Sequence, residues 1–287
     1  MNLTTIRRAC FLVILLILAG TSTAQESSLL WKISGNGLEK ESYLFGTIHI
    51  ICKEDFLMDE RITSAFDQTE QLIMELDMSD PQLPAKMQQV SINPGMKNLQ
   101  SELDESTAKA LDEFLINSYG AGLAQLGILK PFVLSSMVLL KVLPCTEVES
   151  YEGFFTTRAS ASGKPIAGLE TVDFQVGIFD QIPQKIQLEE LGKLVTDDSS
   201  KQDLEKLMET YQSENVDAMY EVMNSSGMVA DYRVLMLDDR NKSWVPKIEE
   251  AMQSKSVFVA VGAGHLGGEF GVIALLKKAG YTVLPIQ

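Results

Sequence analysis

The sequence predicts an α/β fold, a central mixed sheet built from two βαβ-like units with a helical region between them. Three observations predict it. Short apolar runs near both ends have strand length and composition, each pair is separated by one amphipathic helix, and the text between the ends is mostly at helical spacing. The 287 residues are 45% hydrophobic and 22% charged, enough to bury one large core.

The first residues read as an export signal, with an uncleaved anchor as the alternative. Arg7 and Arg8 precede an apolar run at 9–19, and Ser22-Thr23-Ala24 offers small residues for cleavage before Gln25. The run is shorter than the roughly 20 residues of a comfortable membrane span. A signal peptide at 1–24 and one domain at 25–287 are therefore expected, with no membrane span after cleavage and a periplasmic or secreted location.

The first unit opens with a strand at 29–33, a turn at Asn36-Gly37 and a second strand at 43–47, which together read as a hairpin. A helix follows at 59–69. Asp59 is its expected N-cap, with Ile62, Ala65 and Phe66 on one face. The strand at 72–76 completes a βαβ unit, so it is expected parallel to 43–47 and beside it.

In the middle, 105–117 carries Leu111, Phe114 and Leu115 at helical spacing. The stretch 131–143 is apolar on most sides and reads as a buried helix. A short strand is expected at 164–168, and long helices at 203–223 and 232–252. Their methionines, Met208, Met219 and Met223, read as core filling. The last unit has a wholly apolar strand at 257–261, a Gly-rich turn, a helix at 268–279, Gly280 as a left-handed cap and a closing strand at 281–284.

The chain has only two histidines, His49 and His265. Both close an expected strand, and both have glycine three positions earlier. At a glycine frequency of roughly 7%, the coincidence has a chance of about one in 200. Ligand sites in parallel sheets lie beyond the carboxyl ends of the strands, glycine lets the backbone approach closely, and imidazole is the commonest metal ligand. A divalent ion is therefore expected at the two turns. Glu75 is the best third ligand, because it interrupts an apolar strand at its carboxyl end. The alternatives are a general base, or an ion pair with a nearby Lys or Arg. Asp77 follows on the same face of an extended chain. Glu170 reads as a supporting acid or a loop acid. Arg240, beside Asp238 and Asp239, reads locally as a solvated pair.

Other classes are disfavoured. A formal net charge of −15 argues against nucleic acid. No phosphate loop, His-Glu-x-x-His, Gly-x-Ser-x-Gly or Cys-x-x-Cys is present, and Gly262-Ala263-Gly264 does not complete a dinucleotide fingerprint. Beyond the export segment only Cys52 and Cys145 remain. A disulfide between them is expected in an oxidising compartment, against the alternative of two buried thiols.

The segments Tyr43-Leu-Phe-Gly-Thr-Ile-His49, Glu75-Leu-Asp77, Gly168-Leu-Glu-Thr171, Arg240-Asn241 with Trp244, and Val259-Ala-Val-Gly-Ala-Gly-His-Leu266 resemble the TraB/GumN family, related to the Tiki metalloproteases. The resemblance implies a mixed α/β core, a divalent metal (Mn, Co or Zn) and peptidase activity. It makes His49, Glu75 and His265 the metal or catalytic residues and raises Arg240 and Asn241 to site residues. The expected function is a divalent-metal-dependent hydrolase acting on a peptide or small molecule. The alternative is a non-catalytic protein that binds a metal, haem or a peptide.

Overall fold

The computed structural model describes residues 27–287 except Asp198 and Ser226, so the expected signal peptide lies outside the described residues. Strand β1 (Leu30–Ser34) turns into β2 (Ser42–Thr47), and the two pair antiparallel as a hairpin. Gly35, Asn36 and Gly37 hold the turn with φ of 79°, 48° and 81°, a left-handed run that glycine and asparagine tolerate best.

After the short β3 (Ile51–Cys52) comes the helix Glu60–Asp67. Its N-cap is Asp59, whose carboxylate accepts from the Arg61 and Ile62 amides, and it buries Ile62, Ala65 and Phe66 as expected. Strand β4 (Gln71–Met74) follows. The last strands are β5 (Val148–Glu149), β6 (Ile166–Gly168), β7 (Val257–Gly262) and β8 (Thr282–Pro285).

Six strands form the central sheet in the order β6-β4-β7-β2-β1-β8. The four strands β6, β4, β7 and β2 are mutually parallel, and β1 is antiparallel to both β2 and β8. This corrects one expectation. β4 runs parallel to β2 but is not its neighbour, because β7, from the far end of the chain, lies between them. Its first five residues are buried, which suits the most enclosed position in the sheet. The two end units are therefore interleaved. Phe45, Phe66, Phe155 and Phe258 pack ring to ring with centroids 4.9–6.2 Å apart at the centre of the core.

Three helical expectations are revised. The stretch 203–223 is two helices, Ser199–Gln212 and Val216–Met223. The chain breaks at Glu214, which has φ of 54° and whose carboxylate meets Arg61 at 2.8 Å, so a distant contact overrides helical spacing. The last helix starts at Val272 rather than 268, because Gly268 has φ of 78° and Gly271 is the N-cap. The helix Pro131–Val142 buries only Pro131, Leu134 and Val138, and its opposite side is partly open. That helix belongs to a second apolar cluster with Leu99, Leu111, Leu115, Leu123, Leu188 and Leu191, separate from the sheet core.

The expected disulfide is present, linking Cys52 to Cys145 across 93 residues. It is flanked by the β3–β5 ribbon, in which Ile51 pairs with Glu149 and Cys52 with Val148. Among the described residues no helix is long and apolar enough to cross a membrane.

The disulfide closes a long loop, for which chain entropy gives about 4–5 kcal/mol of stabilisation. Replacing both cysteines by serine is expected to lower the thermal midpoint in calorimetry. An unchanged midpoint would show that the ribbon alone holds the junction.

Candidate functional site

The four parallel strands end along one edge of the sheet, and each delivers a polar side chain there. In spatial order these are Glu170 beyond β6, Glu75 beyond β4, His265 beyond β7 and His49 beyond β2. The two histidines and Glu75 thus converge on one side of the molecule. β6 also extends its pairing past the strand, with the Glu170 amide donating to the Glu75 carbonyl at 2.9 Å.

The glycines of the two Gly-x-x-His turns serve the protein's own packing. A Cβ on Gly46 would meet Ala263 and Leu266 at 3.1 Å, and a Cβ on Gly262 would meet the Glu75 carboxylate at 3.3 Å. The close approach expected for a ligand is made by neighbouring chain segments. Asp77 stands apart. The chain turns after Glu75, and the Asp77 carboxylate binds Ser79.

Arg240 is the hub. It is buried, contrary to its local reading, at the start of the helix Asp239–Ser254. A π turn at Val234–Asp238 leads into that helix, with the Asp239 amide bonded to the Val234 carbonyl. Arg240 makes a two-pronged bond to Glu170, Nε to Oε1 at 2.9 Å and Nη2 to Oε2 at 2.8 Å. Nη2 also donates to Glu75 Oε2 at 2.7 Å. Nη1 donates to the Met236 carbonyl at 3.1 Å and to His265 Nε2 at 3.2 Å. A guanidinium has five N–H groups, so every donor is committed. Trp244 backs the cluster, donating to Glu170 at 2.8 Å and lying against the His265 ring at 4.4 Å.

Glu75 takes the ion-pair alternative, with Arg240 as partner. Oε2 also accepts from Gln175 at 2.9 Å, and Oε1 accepts from the Gly262 amide at 2.9 Å. Burial works against its charge. The positive field of His265, Arg240 and His49, with the Gly262 N–H, outweighs burial and holds its pKa at about 2. His265 contributes because it is itself protonated at such acid pH.

The bonds around His265 fix its tautomer. Asn241 spends its Nδ2 on the carbonyls of His265 at 3.3 Å and Phe270 at 2.9 Å. Its Oδ1 therefore accepts from His265 Nδ1 at 2.7 Å, which must carry the proton. Nε2, facing Arg240, must then be a lone pair. Burial, with Arg240 and His49 adding to it against the pull of Glu75, pushes the His265 pKa down to about 3. This ring is neutral and enclosed.

His49 differs. Its side chain is 69% exposed, and Nδ1 lies 3.1 Å from Glu152 Oε1. The hydrogen bond to Glu152, opposed by desolvation and aided by the charge of Glu75, raises its pKa to about 9. Solvent around the ring screens this pair. Glu152 itself is held below its ordinary range, where the His49 bond and charge overcome burial. Glu152 and Gln175 were not singled out in the sequence. Ser150 and Glu152 there signal only a helix start, and Gln175 gives no signal.

In donor chemistry, two imidazoles and several carboxylates suit a divalent ion. In arrangement they do not. Glu75 and His265 Nε2 are turned to Arg240, and among the described residues no three His, Cys, Asp or Glu side chains group as an ion would require. Both groups would have to leave Arg240 before they could bind an ion together.

The sequence model of the TraB/PrgY/gumN family matches residues 29–285, and the chain belongs to this family. No curated protein and no solved structure shows significant similarity to the chain.

In an NMR titration the two histidines separate. His49 keeps its proton above the ordinary 6.5, and His265 stays neutral well below it. Linkage then sets the pH profile of stability. The His265 contribution is full above 6.5 and is lost as pH falls toward 3, and that of Glu75 is lost as pH falls from 4.5 through 2. The His49 contribution is full below 6.5 and is lost as pH rises toward 9. Two overlapping curves near 6.5 would contradict the asymmetry. Arg240→Ala leaves two buried carboxylates uncompensated and is expected to cost about 3–5 kcal/mol in denaturant unfolding. Arg240→Lys should not restore it, lacking the fork.

Proposed function

We propose that this member of the TraB/PrgY/gumN family is a hydrolase of the peptidase type, with its centre at the sheet edge where His49, Glu75 and His265 meet. The observation that carries the reading is geometric: Glu75, His265 and His49 stand side by side beyond the carboxyl ends of the neighbouring parallel strands β4, β7 and β2. An exposed histidine pushed toward its protonated form shares the edge with a carboxylate held ionised. A proton donor beside an ionised acceptor is an arrangement suited to acid–base work.

His49 is the proton donor, placed to bond a carbonyl oxygen as it gains charge or a leaving amine as it departs. Glu75 is the base. Its Oε2 is filled by Arg240 and Gln175, but Oε1 has one partner and keeps a lone pair for water. Arg240 acts through its fixed charge, since all its donors are spent. Asn241 holds His265 in one tautomer, and His265 holds Arg240.

The kinship of the TraB/GumN family to the Tiki metalloproteases suggests peptide substrates; a divalent ion, Mn, Co or Zn, would join His49, Glu75 and His265 only if Glu75 and His265 turned away from Arg240. The disulfide suits an oxidising compartment, periplasmic or secreted. A second reading, a binder that cleaves nothing, is favoured by one observation: Arg240 and Asn241 have no donor left for a substrate.

A peptide library incubated with the purified protein, with chelator or with Mn, Co or Zn added, separates these readings. Hydrolysis is expected, with a loss of about 10²- to 10⁴-fold in His49→Ala and in Glu75→Gln. Chelator-sensitive activity would support the metal. No cleavage under any condition, with peptide still bound, would establish the binder.

A further inference from the structure

His49 sits on an exposed bend, where among the described residues a single side chain bonds its ring. That side chain is Glu152, 103 residues away. We propose that Glu152 is the positioning residue of His49: it fixes the ring through Nδ1 and leaves the Nε2 edge open to substrate. This rests on the acid role given to His49 above.

The surroundings of Glu152 point to that task. Its side chain is only 16% exposed, yet no Lys or Arg among the described residues pairs with it. Its donors are Thr47 Oγ1 at 2.9 Å and His49 Nδ1 at 3.1 Å to Oε1, and Ser150 Oγ at 3.1 Å to Oε2. A mostly buried carboxylate needs donors to hold its charge, and among these donors only the His49 imidazole can itself carry a charge. The hydroxyls hold the carboxylate, and the carboxylate holds the ring. Carboxylates that orient an imidazole by its inner N–H are the usual way to aim the outer nitrogen.

The mounting is rigid on both sides. Glu152 lies in the first turn of the helix Tyr151–Ser162, where the helix dipole favours an anion and Ser150 caps the start. The fully buried Tyr151 ties this helix to the loop after His49, its hydroxyl bonding the Leu57 amide at 3.0 Å and the Leu57 carbonyl at 3.2 Å. Between His49 and Glu152 the two segments are stitched by the Cys52–Cys145 disulfide, the β3–β5 ribbon and the Lys53–Glu147 ion pair at 2.6 Å. The ribbon and crosslink thus fix the distance between a ring and its holder.

The test compares the wild-type protein with Glu152→Ala and Glu152→Gln by proton NMR at one pH and low temperature. The wild type is expected to show a downfield, slowly exchanging His49 ring N–H, assigned by its loss in His49→Ala. Glu152→Gln keeps an uncharged acceptor and should shift the signal upfield. Glu152→Ala should lose it. Peptide hydrolysis should fall about 10- to 100-fold in Glu152→Ala, in kcat with KM little changed, and recover in part with Gln. A ring N–H signal that survives unmoved in either variant overturns the proposal. If the alanine variant does not fold, the shift in the isosteric glutamine variant decides alone. Failure of the wild type to cleave any peptide would remove the hydrolase reading, while the N–H signal would still judge Glu152.

Discussion

The site depends on one buried cation. Arg240 has no free N–H, and its bonds reach β4 through Glu75, β6 through Glu170 and the β7 turn through His265. These are the groups at which the parallel strands stop. A guanidinium is suited to this because its donors lie in one plane with fixed directions, so a single residue sets the positions of three others. Enclosure strengthens each contact and makes each costly to break. The helix that carries Arg240 is brought to the sheet by apolar contacts of Trp244, Val245, Ile248 and Met252, so packing places the charge and the charge then orders the edge.

From that arrangement the two histidines acquire opposite properties, although their local sequences match. His265 is enclosed away from water and lies inside the field of Arg240, where a proton on Nε2 would face an N–H, so the neutral form is favoured. His49 lies outside that network and faces a carboxylate, so it favours the charged form. Matching local sequences have come to stand in opposite electrostatic surroundings. The glycines of the two turns contribute by letting β2, the β7 turn and Glu75 approach each other.

Much of this was legible in the residues. The hairpin, the Asp59 cap and its buried face, the parallel strands, the Cys52–Cys145 pair and the gathering of His49, Glu75 and His265 all follow from local rules of turns, periodicity and strand ends. Arg240 was legible only through family resemblance. Its neighbours Asp238 and Asp239 suggest a surface pair, and nothing local says that Glu170 and Glu75 wait for it. Glu152 and Gln175 were invisible for the same reason. Their signals at short range are those of a helix start and of an ordinary polar position.

The sequence by itself determined the elements, the α/β class and which side chains end at strand termini, because dihedral preference and apolar spacing act between residues a few positions apart. Only the tertiary structure decided that β7 enters between β2 and β4, that Arg240 pairs inward, and that one histidine is biased toward its charged form and the other toward its neutral form. Those outcomes depend on burial and on charges brought together from distant parts of the chain. Neither the dielectric around a group nor its counter-ion exists until the chain has folded.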